Sequence, residues 1–238
     1  MKVFKILKNN FISTIYPKKC ICCGEIIDED KYLCEFCDKN IERINLDNFC
    51  FECGYEKNEC VCKYNIYRFN GVISIFKNIE YAKKAYYSYK FGRKQHYAKF
   101  FAKKISDAIN KYYKEISFDC ICYVPSYKKY QYNHSRYIAE EISKETNIPF
   151  IDDLLVCVKK VKKQHKSTIK ERLNNVEGKY FAGKHLEGKC VLLIDDIKTT
   201  GATLDECTRM LLFAGADSVY CATVLGAILC LKICRFIL

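Results

Sequence analysis

The chain has 238 residues, of which 50% are apolar and only three are proline, so it is long enough for one ordinary domain and a small one with a buried core. Its formal net charge of +12 favours an anionic partner such as nucleic acid. No apolar run approaches the roughly 20 residues of a membrane span, which excludes a membrane-spanning protein.

The first 17 residues predict an amphipathic helix that packs on the protein or, as the alternative, on a membrane or a partner. Lysines interrupt its apolar residues and no small-residue cleavage site follows, so the segment does not read as an export signal. A protein that is not exported keeps its 17 cysteines in the reducing cytoplasm. Clustered cysteines bind metal there more often than they form disulfides.

Nine of these cysteines lie before residue 63, in four closely spaced groups. Two cysteines separated by two residues present both thiolates to one ion, so two such pairs make a tetrahedral zinc site. A site with four cysteine ligands has no open position for a substrate, so we interpret both sites as structural. The sequence predicts two Zn²⁺ sites with sequential ligands: Cys20, Cys23, Cys34 and Cys37 for the first, and Cys50, Cys53, Cys60 and Cys62 for the second.

Three alternatives to this assignment remain open. The first pair of cysteines could combine with the third and the second with the fourth. Cys22 could replace Cys20 or Cys23 as a ligand. The ligand type also suits an iron–sulfur cluster or a redox dithiol.

A basic segment with many aromatic residues follows the cysteines. Residues 71–76 predict a strand, and residues 79–91 and 95–114 predict two helices. Between residues 77 and 115 there are eleven Lys and Arg against three Asp and Glu. Basic residues with stacking aromatics are typical of a groove for single-stranded nucleic acid, although the aromatics could instead be core and the lysines the solvent side of the same helices. The nucleic-acid-binding candidates are Lys83, Lys84, Lys90, Arg93 and Lys94.

Residues 120–124 predict a second buried strand, which ends at Pro125. The next loop, over 126–131, carries Lys128 and Lys129, and a helix is predicted to start near Asn133. Since ligands gather outside the carboxyl ends of parallel strands, we expect these lysines at a ligand-binding crevice of the sheet. A strand over 151–158 precedes a basic stretch over 159–172, which we interpret as a lid. A last strand is predicted over 218–225.

The most informative stretch runs from Val191 to Thr203. Its first four residues are apolar, which predicts a strand buried on both faces, and Asp195 and Asp196 follow directly at the expected carboxyl end. A Thr/Gly loop then leads into a predicted helix, and its hydroxyls and amides can donate to one anion. Since carboxylates do not bind phosphate, the acids are expected to hold another part of the same ligand, such as a diol or a phosphate-bound Mg²⁺. The phosphate-binding candidates are Thr199, Thr200, Gly201, Ala202 and Thr203.

This stretch resembles the 5-phosphoribosyl-1-pyrophosphate (PRPP) signature of type I phosphoribosyltransferases: an apolar strand, an acid pair, two spacer residues and Thr-Thr-Gly-x-Thr. The resemblance implies that Asp195 and Asp196 are the catalytic pair and hold the ribose 2′ and 3′ hydroxyls, while the loop holds the 5′-phosphate. Lys198 stands where the family usually has an apolar residue, and we expect it to make the loop more cationic.

A cysteine-rich module ahead of such a domain resembles the ComF/GntX family, which is associated with DNA uptake during natural competence. Three further segments carry the resemblance, over 89–92, 124–139 and 164–180. The last of them includes Arg172, a further phosphate-binding candidate. Tyr130 and Gln131 replace the family's usual Arg-Gly, so Lys128 or Lys129 would have to substitute in the pyrophosphate contact.

The expected fold class is α/β: an open, mostly parallel sheet with flanking helices, like that of type I phosphoribosyltransferases, preceded by a small cysteine-rich zinc-binding module. The expected domains are a helix over 1–17, a double zinc-binding module over 18–64 and a phosphoribosyltransferase-like domain over 68–238.

The resemblance implies binding of PRPP or ribose 5-phosphate with Mg²⁺, and phosphoribosyl transfer to a nitrogen nucleophile. A hypothesis of another class is a non-catalytic assembly factor that holds a nucleotide or a single-stranded DNA end in the same pocket, with competence-machinery proteins as partners. The acid pair and the phosphate loop fit both hypotheses, because fold and motif do not fix activity.

Overall fold

The structure is a computed structural model that describes residues 17–63, 67–92, 94–127, 132–158 and 178–227. The helix predicted over 1–17, apart from Pro17, and the basic stretch over 159–172 lie outside these ranges, so both stay predictions. Within the described ranges, none of the helices has the length and apolar character needed to cross a bilayer.

Contacts divide the chain into two compact units. The first comprises residues 1–42 and 79–97, and the second comprises residues 43–78 and 98–238. Each unit therefore contains one of the two predicted zinc clusters. This grouping differs from the predicted order of one module over 18–64 and one domain over 68–238, which stays a prediction.

The first unit joins a cysteine cluster to the basic helix that follows in sequence. Helix α1 is Glu35–Asn40 and helix α2 is Glu80–Phe91. Helix α2 buries Ala82, Ala85, Tyr86 and Tyr89, which share one face at helical spacing. A short 3₁₀ turn over Gln95–Tyr97 follows α2, and the hydroxyl of its last residue, Tyr97, donates to the carbonyl oxygen of Lys19 at 2.7 Å. Residues 79–97 of the basic segment thus form one compact unit with the first cysteine cluster.

The described part of the second unit contains six strands. They are β1 (Gly71–Lys77), β2 (Cys120–Tyr123), β3 (Leu155–Cys157), β4 (Tyr180–Ala182), β5 (Cys190–Lys198) and β6 (Ser218–Gly226). Four of them form a parallel sheet in the order β1-β6-β5-β2, and the other two form an antiparallel pair. The predicted open, mostly parallel sheet is confirmed.

Helices cover the sheet, as the continuous apolar strands require. They are α3 (Ala98–Tyr112), α4 (His134–Thr146) and α5 (Ala202–Phe213). Helices α3 and α4 pack against each other and against strands of the sheet, while α5 packs on β4, β5 and β6. Val191 and Leu193 share a core cluster with Leu204 and Cys207 of α5. The alternating residues of β5 point to the opposite face, so this strand is buried on both sides.

Two predicted strand boundaries are wrong. The strand expected over 151–158 is only Leu155–Cys157, because Asp152 and Asp153 form a turn whose carboxylates pair with Arg136 and Lys184. The strand expected to end at Ile194 continues to Lys198, because its pairing with β6 continues. The acid pair therefore lies inside β5, at the sixth and seventh of its nine residues.

Candidate functional site

Eight cysteines form two clusters, and within each cluster the four sulfur atoms lie within 4.8 Å of one another. The grouping is the sequential one: Cys20, Cys23, Cys34 and Cys37, and Cys50, Cys53, Cys60 and Cys62. The interleaved pairing is not formed. Cys22 lies outside the first cluster, and its thiol donates to the carbonyl oxygen of Tyr81 at 3.5 Å.

The spacing of the sulfur atoms fits zinc. Four thiolates about 2.3 Å from a tetrahedral zinc ion lie about 3.8 Å from one another. The Sγ atoms of Cys23 and Cys34 are 3.8 Å apart, and those of Cys53 and Cys60 are 3.7 Å apart. A disulfide needs about 2.05 Å, so these contacts are not disulfides. The donor set is therefore that of two structural zinc sites with four cysteine ligands each.

The turn around Cys20 favours the thiolate form that a metal requires. Burial raises the pKa of Cys20, but hydrogen bonds from the backbone amides of Cys23 and Cys34 outweigh it and lower the pKa to about 7. In the second cluster, burial of Cys50 is likewise outweighed, first by the Cys53 amide, and its pKa is lowered. The backbone amides thus stabilise negative sulfur at Cys20 and Cys50, whereas burial raises the pKa of Cys37, Cys53 and Cys62.

The acid pair lies where β5 extends beyond its neighbour. Strand β2 pairs with β5 only as far as Tyr123 and Ile194, and Pro125, which has no amide hydrogen, follows two residues later. Asp195 is 7% exposed and accepts a hydrogen bond from the Asp196 amide at 2.8 Å, while Asp196 is half-buried. The two carboxylates therefore lie at the carboxyl edge of the sheet, on the side that β2 leaves open.

The Thr/Gly loop leads directly from β5 into α5. Gly201 is the N-cap residue of α5, with a φ of 81°, and it has no side chain to cap the helix; the hydroxyl of the preceding Thr200 accepts from the Ala202 amide at 3.4 Å. Thr199 is exposed and Thr200 is half-buried. The helix start therefore presents backbone N–H groups and the positive end of the helix dipole a few residues after the acids.

Gly201 is required for a reason that the sequence did not show. Its positive φ favours glycine, and a Cβ at this position would lie 2.7 Å from Cε1 of Tyr67. The side of Gly201 that a side chain would occupy thus faces a tyrosine ring. The interpretation that Gly201 also lets the backbone come close to a ligand stays a prediction, because the contact with Tyr67 concerns only the side where a Cβ would lie.

Two tyrosines that sequence reasoning missed hold the loop by its carbonyl groups. The Tyr55 hydroxyl donates to the carbonyl oxygen of Thr199 at 2.5 Å, and the Tyr67 hydroxyl donates to that of Thr200 at 3.0 Å. Tyr55 precedes Thr199 by 144 residues, so local patterns cannot reveal this contact.

Lys198, which stands where the family usually has an apolar residue, is the sequence feature that could have indicated these contacts. Its side chain is 2% exposed, and its ammonium nitrogen lies 3.6 Å from the centroid of the Tyr55 ring. Burial lowers the pKa of Lys198 to about 8. We expected this lysine to add charge to the phosphate loop, but it packs instead against the tyrosine beneath the loop.

Family comparisons agree with this geometry. A model of the phosphoribosyl transferase domain matches residues 102–230, more than half of the chain, and a model of the double zinc ribbon domain matches residues 11–64. The chain belongs to the phosphoribosyltransferase family. Its phosphoribosyltransferase domain contains the acid pair and the Thr/Gly loop, and the zinc ribbon match contains both cysteine clusters.

Individual relatives refine this assignment. The chain is 28% identical over 220 residues to competence protein ComFC of Streptococcus pneumoniae, covering 84% of this chain and 96% of that protein. This match confirms the resemblance to the ComF family. Among solved structures, glutamine PRPP amidotransferase from B. subtilis is 23% identical with a TM-score of 0.39, and the match covers 54% of this chain and 26% of that one. Adenine phosphoribosyltransferase from Saccharomyces cerevisiae is 16% identical with a TM-score of 0.38, and the match covers 58% of this chain and 73% of that one.

Several predicted site residues lie outside the described parts of the chain. Lys128 and Lys129, expected at the pyrophosphate, and Arg172, expected at a phosphate, lie outside the described residues, as does Arg93 of the nucleic-acid candidates. Their roles stay predictions.

The basic segment splits into core aromatics and an exposed remainder. Tyr86, Tyr89 and Tyr97 are buried, so the core interpretation holds for them. Phe91 is 72% exposed and Tyr87 is 36% exposed, and their rings meet edge to face with centroids 5.5 Å apart. The ammonium nitrogen of Lys83, itself exposed, lies 5.6 Å from the centroid of the Tyr87 ring. A small stacking surface with a cation thus remains on α2.

Proposed function

We propose that the carboxyl edge of β5 binds PRPP or ribose 5-phosphate with Mg²⁺, and that the domain transfers the phosphoribosyl group to a nitrogen nucleophile. The observation that carries this proposal is the short path from Asp195 and Asp196 to the start of α5, at a sheet edge that β2 leaves open. Carboxylates accept hydrogen bonds from ribose hydroxyls, and the loop and helix start donate to a phosphate.

Mg²⁺, when bound with PRPP, supplies positive charge to the pyrophosphate, and carboxylate oxygens are ligands that it prefers. In the transfer, the bond from C1 of the ribose to the pyrophosphate oxygen breaks, and both electrons leave with that oxygen. The lone pair of the nitrogen nucleophile forms the new bond to C1 from the opposite face. The chain contributes by holding the ribose and the 5′-phosphate in place, so that the reacting atoms meet in a fixed geometry.

The name of the pneumococcal relative, competence protein ComFC, supports a role in natural competence together with other competence proteins. Free thiols support a reducing compartment, the cytoplasm. All fifteen cysteines in the described part of the chain are unpaired by disulfides.

Calorimetry and a pyrophosphate assay test the proposed function in two stages. The purified protein should bind PRPP when Mg²⁺ is present, and adding the correct nitrogen nucleophile should release pyrophosphate. Binding without release across candidate bases and amines would support the non-catalytic hypothesis. No detectable binding of either PRPP or ribose 5-phosphate would refute the proposed site.

A second candidate function is binding of single-stranded DNA by α2 and the residues that follow it. The observation that favours it is the exposed pair of Tyr87 and Phe91 beside Lys83, since bases stack on exposed aromatic rings while cations bind the phosphates.

Salt dependence tests this second function. Affinity for a single-stranded oligonucleotide should fall steeply with salt, and the logarithmic slope should shrink by about 0.7 for each phosphate that a variant no longer neutralises. The test variant replaces Lys83, Lys84, Arg93 and Lys94 by Ala, and a control of equal charge replaces the exposed lysines Lys57, Lys144, Lys184 and Lys189. The test variant should flatten the slope more than the control. Equal slopes for the two variants, or binding that is indifferent to salt, would show that α2 is not the DNA site.

A further inference from the structure

The second cysteine cluster directly fixes the backbone of Tyr55. The amide of the ligand residue Cys50 donates to the carbonyl oxygen of Tyr55 at 2.7 Å, and the amide of Gly54 donates to that of Cys50 at 2.8 Å. Tyr55 also lies between the ligands Cys53 and Cys60 in sequence. Its position therefore depends on the turn that the four sulfur atoms hold together.

The same part of the chain is attached to the sheet. Phe51, between the ligands Cys50 and Cys53, accepts a hydrogen bond from the Val72 amide at 2.8 Å, and Glu56 pairs with Lys77 at 2.8 Å. The neighbouring Gly54 packs so closely on β1 that a Cβ there would lie 2.8 Å from Val72 Cγ1. Tyr55 is thus anchored to the cluster by its backbone and lies beside the strand that forms one edge of the sheet.

The side chain of Tyr55 reaches the phosphate loop. Its hydroxyl donates to the Thr199 carbonyl oxygen at 2.5 Å, and its ring lies under the ammonium group of Lys198. A carbonyl group and the N–H group of the next residue point to opposite sides of a planar trans peptide. Holding the Thr199 carbonyl on one side therefore turns the Thr200 amide to the other side. The Tyr67 hydroxyl holds the Thr200 carbonyl in the same way, and this orients the Gly201 amide.

We propose that Tyr55 is a positioning residue that couples the second cysteine cluster to the phosphate loop, so that zinc at this cluster orients the loop amides for the ligand phosphate. The ligand in this proposal rests on the proposed PRPP site, but the coupling itself is a property of the protein without ligand. Coupling between binding free energies is reciprocal, so a bound phosphate should also raise the affinity of the second cluster for zinc.

Tyr55→Phe isolates the coupling, because it keeps the ring beside Lys198 and removes only the hydroxyl. The matched control is Tyr112→Phe, which removes a hydroxyl that donates to Asp47 Oδ1 at 2.7 Å, in the same unit. Both variants should keep two zinc ions. In ligand-free protein, amide hydrogen exchange over 199–203 should be about three- to tenfold faster in Tyr55→Phe than in wild type or the control, as expected for the loss of one hydrogen bond.

Binding and metal release complete the experiment. PRPP affinity should fall by the same three- to tenfold in Tyr55→Phe. In equilibrium competition with a coloured chelator, PRPP should reduce zinc release from one of the two sites in wild type and in Tyr112→Phe, but not in Tyr55→Phe.

The two proposals fail in different ways. If wild type does not bind PRPP but Tyr55→Phe still exchanges faster in the loop, the proposed ligand is wrong and the coupling stands. If wild type binds PRPP while Tyr55→Phe matches the control in exchange, affinity and zinc release, the coupling is overturned and the PRPP site stands. Loss of zinc in Tyr55→Phe itself would also overturn the proposal, since the hydroxyl would then support the metal site and not the loop.

Discussion

Replacing Cys23 with serine should reduce the zinc content from two ions per chain to one, whereas replacing its neighbour Cys22 with serine should leave both ions bound. Cys23 belongs to the first cluster of sulfur atoms, while the thiol of Cys22 lies outside it and donates to the carbonyl oxygen of Tyr81. The two substitutions are chemically identical and adjacent in sequence. Their difference therefore measures metal ligation alone.

The effect on folding should be large. Structural zinc contributes about 10–16 kcal/mol in zinc-finger peptides, which matches or exceeds the roughly 5–15 kcal/mol that stabilises a typical domain. The Cys23→Ser variant should therefore lose the fold around the first cluster, which hydrogen exchange of residues 20–42 would detect. Elemental analysis gives the metal content of wild type and both variants. Iron in place of zinc, or two zinc ions in Cys23→Ser, would contradict the assignment.

Replacing both Asp195 and Asp196 with asparagine should weaken binding of PRPP with Mg²⁺ by at least about tenfold. Asparagine has the same size as aspartate, and its side-chain oxygen at position 195 can still accept the hydrogen bond from the backbone amide of residue 196. It lacks the negative charge that attracts Mg²⁺ and strengthens hydrogen bonds from ribose hydroxyls. A charge-assisted hydrogen bond contributes about 1.5–3 kcal/mol, and 1.4 kcal/mol corresponds to tenfold in affinity. Calorimetry measures the change.

The control is a second double variant at the amino ends of the strands of the same sheet. Asp119 directly precedes β2 and Asp217 directly precedes β6, so both acids lie at the amino ends of parallel strands. Replacing both with asparagine changes the net charge equally and should leave PRPP affinity within about twofold of wild type, since exposed charges this far from the ligand are screened. Both variants should keep the wild-type melting temperature. Wild-type affinity in the Asp195 and Asp196 variant would show that the edge of β5 is not the ribose site.

Local patterns predicted most of the secondary structure well. Asn133 was expected near the start of a helix, and its side chain caps α4 by accepting from the Arg136 amide at 3.0 Å. The strands that became β1, β2 and β6 were predicted to within one residue, because their apolar runs are continuous and end at Pro125 or in turns. The prediction of a strand over 151–158 was wrong because a turn at Asp152 and Asp153 interrupts the apolar run, and these acids pair with Arg136 and Lys184 from other elements.

The sequence by itself determined the closely spaced cysteine pairs, the acid pair and the Thr/Gly loop, while the structure selected the sequential grouping of the cysteines and left Cys22 outside it. The spacing of two cysteines in one turn, and a strand that runs into a loop and a helix, are properties of a few consecutive residues, so their geometry is local. Only the tertiary structure decided which aromatic residues of the basic segment are core and which, such as Phe91, remain exposed. It also decided that Gly201 faces Tyr67 and that Lys198 lies over Tyr55, because those contacts join residues more than 130 positions apart and depend on how the whole second unit packs.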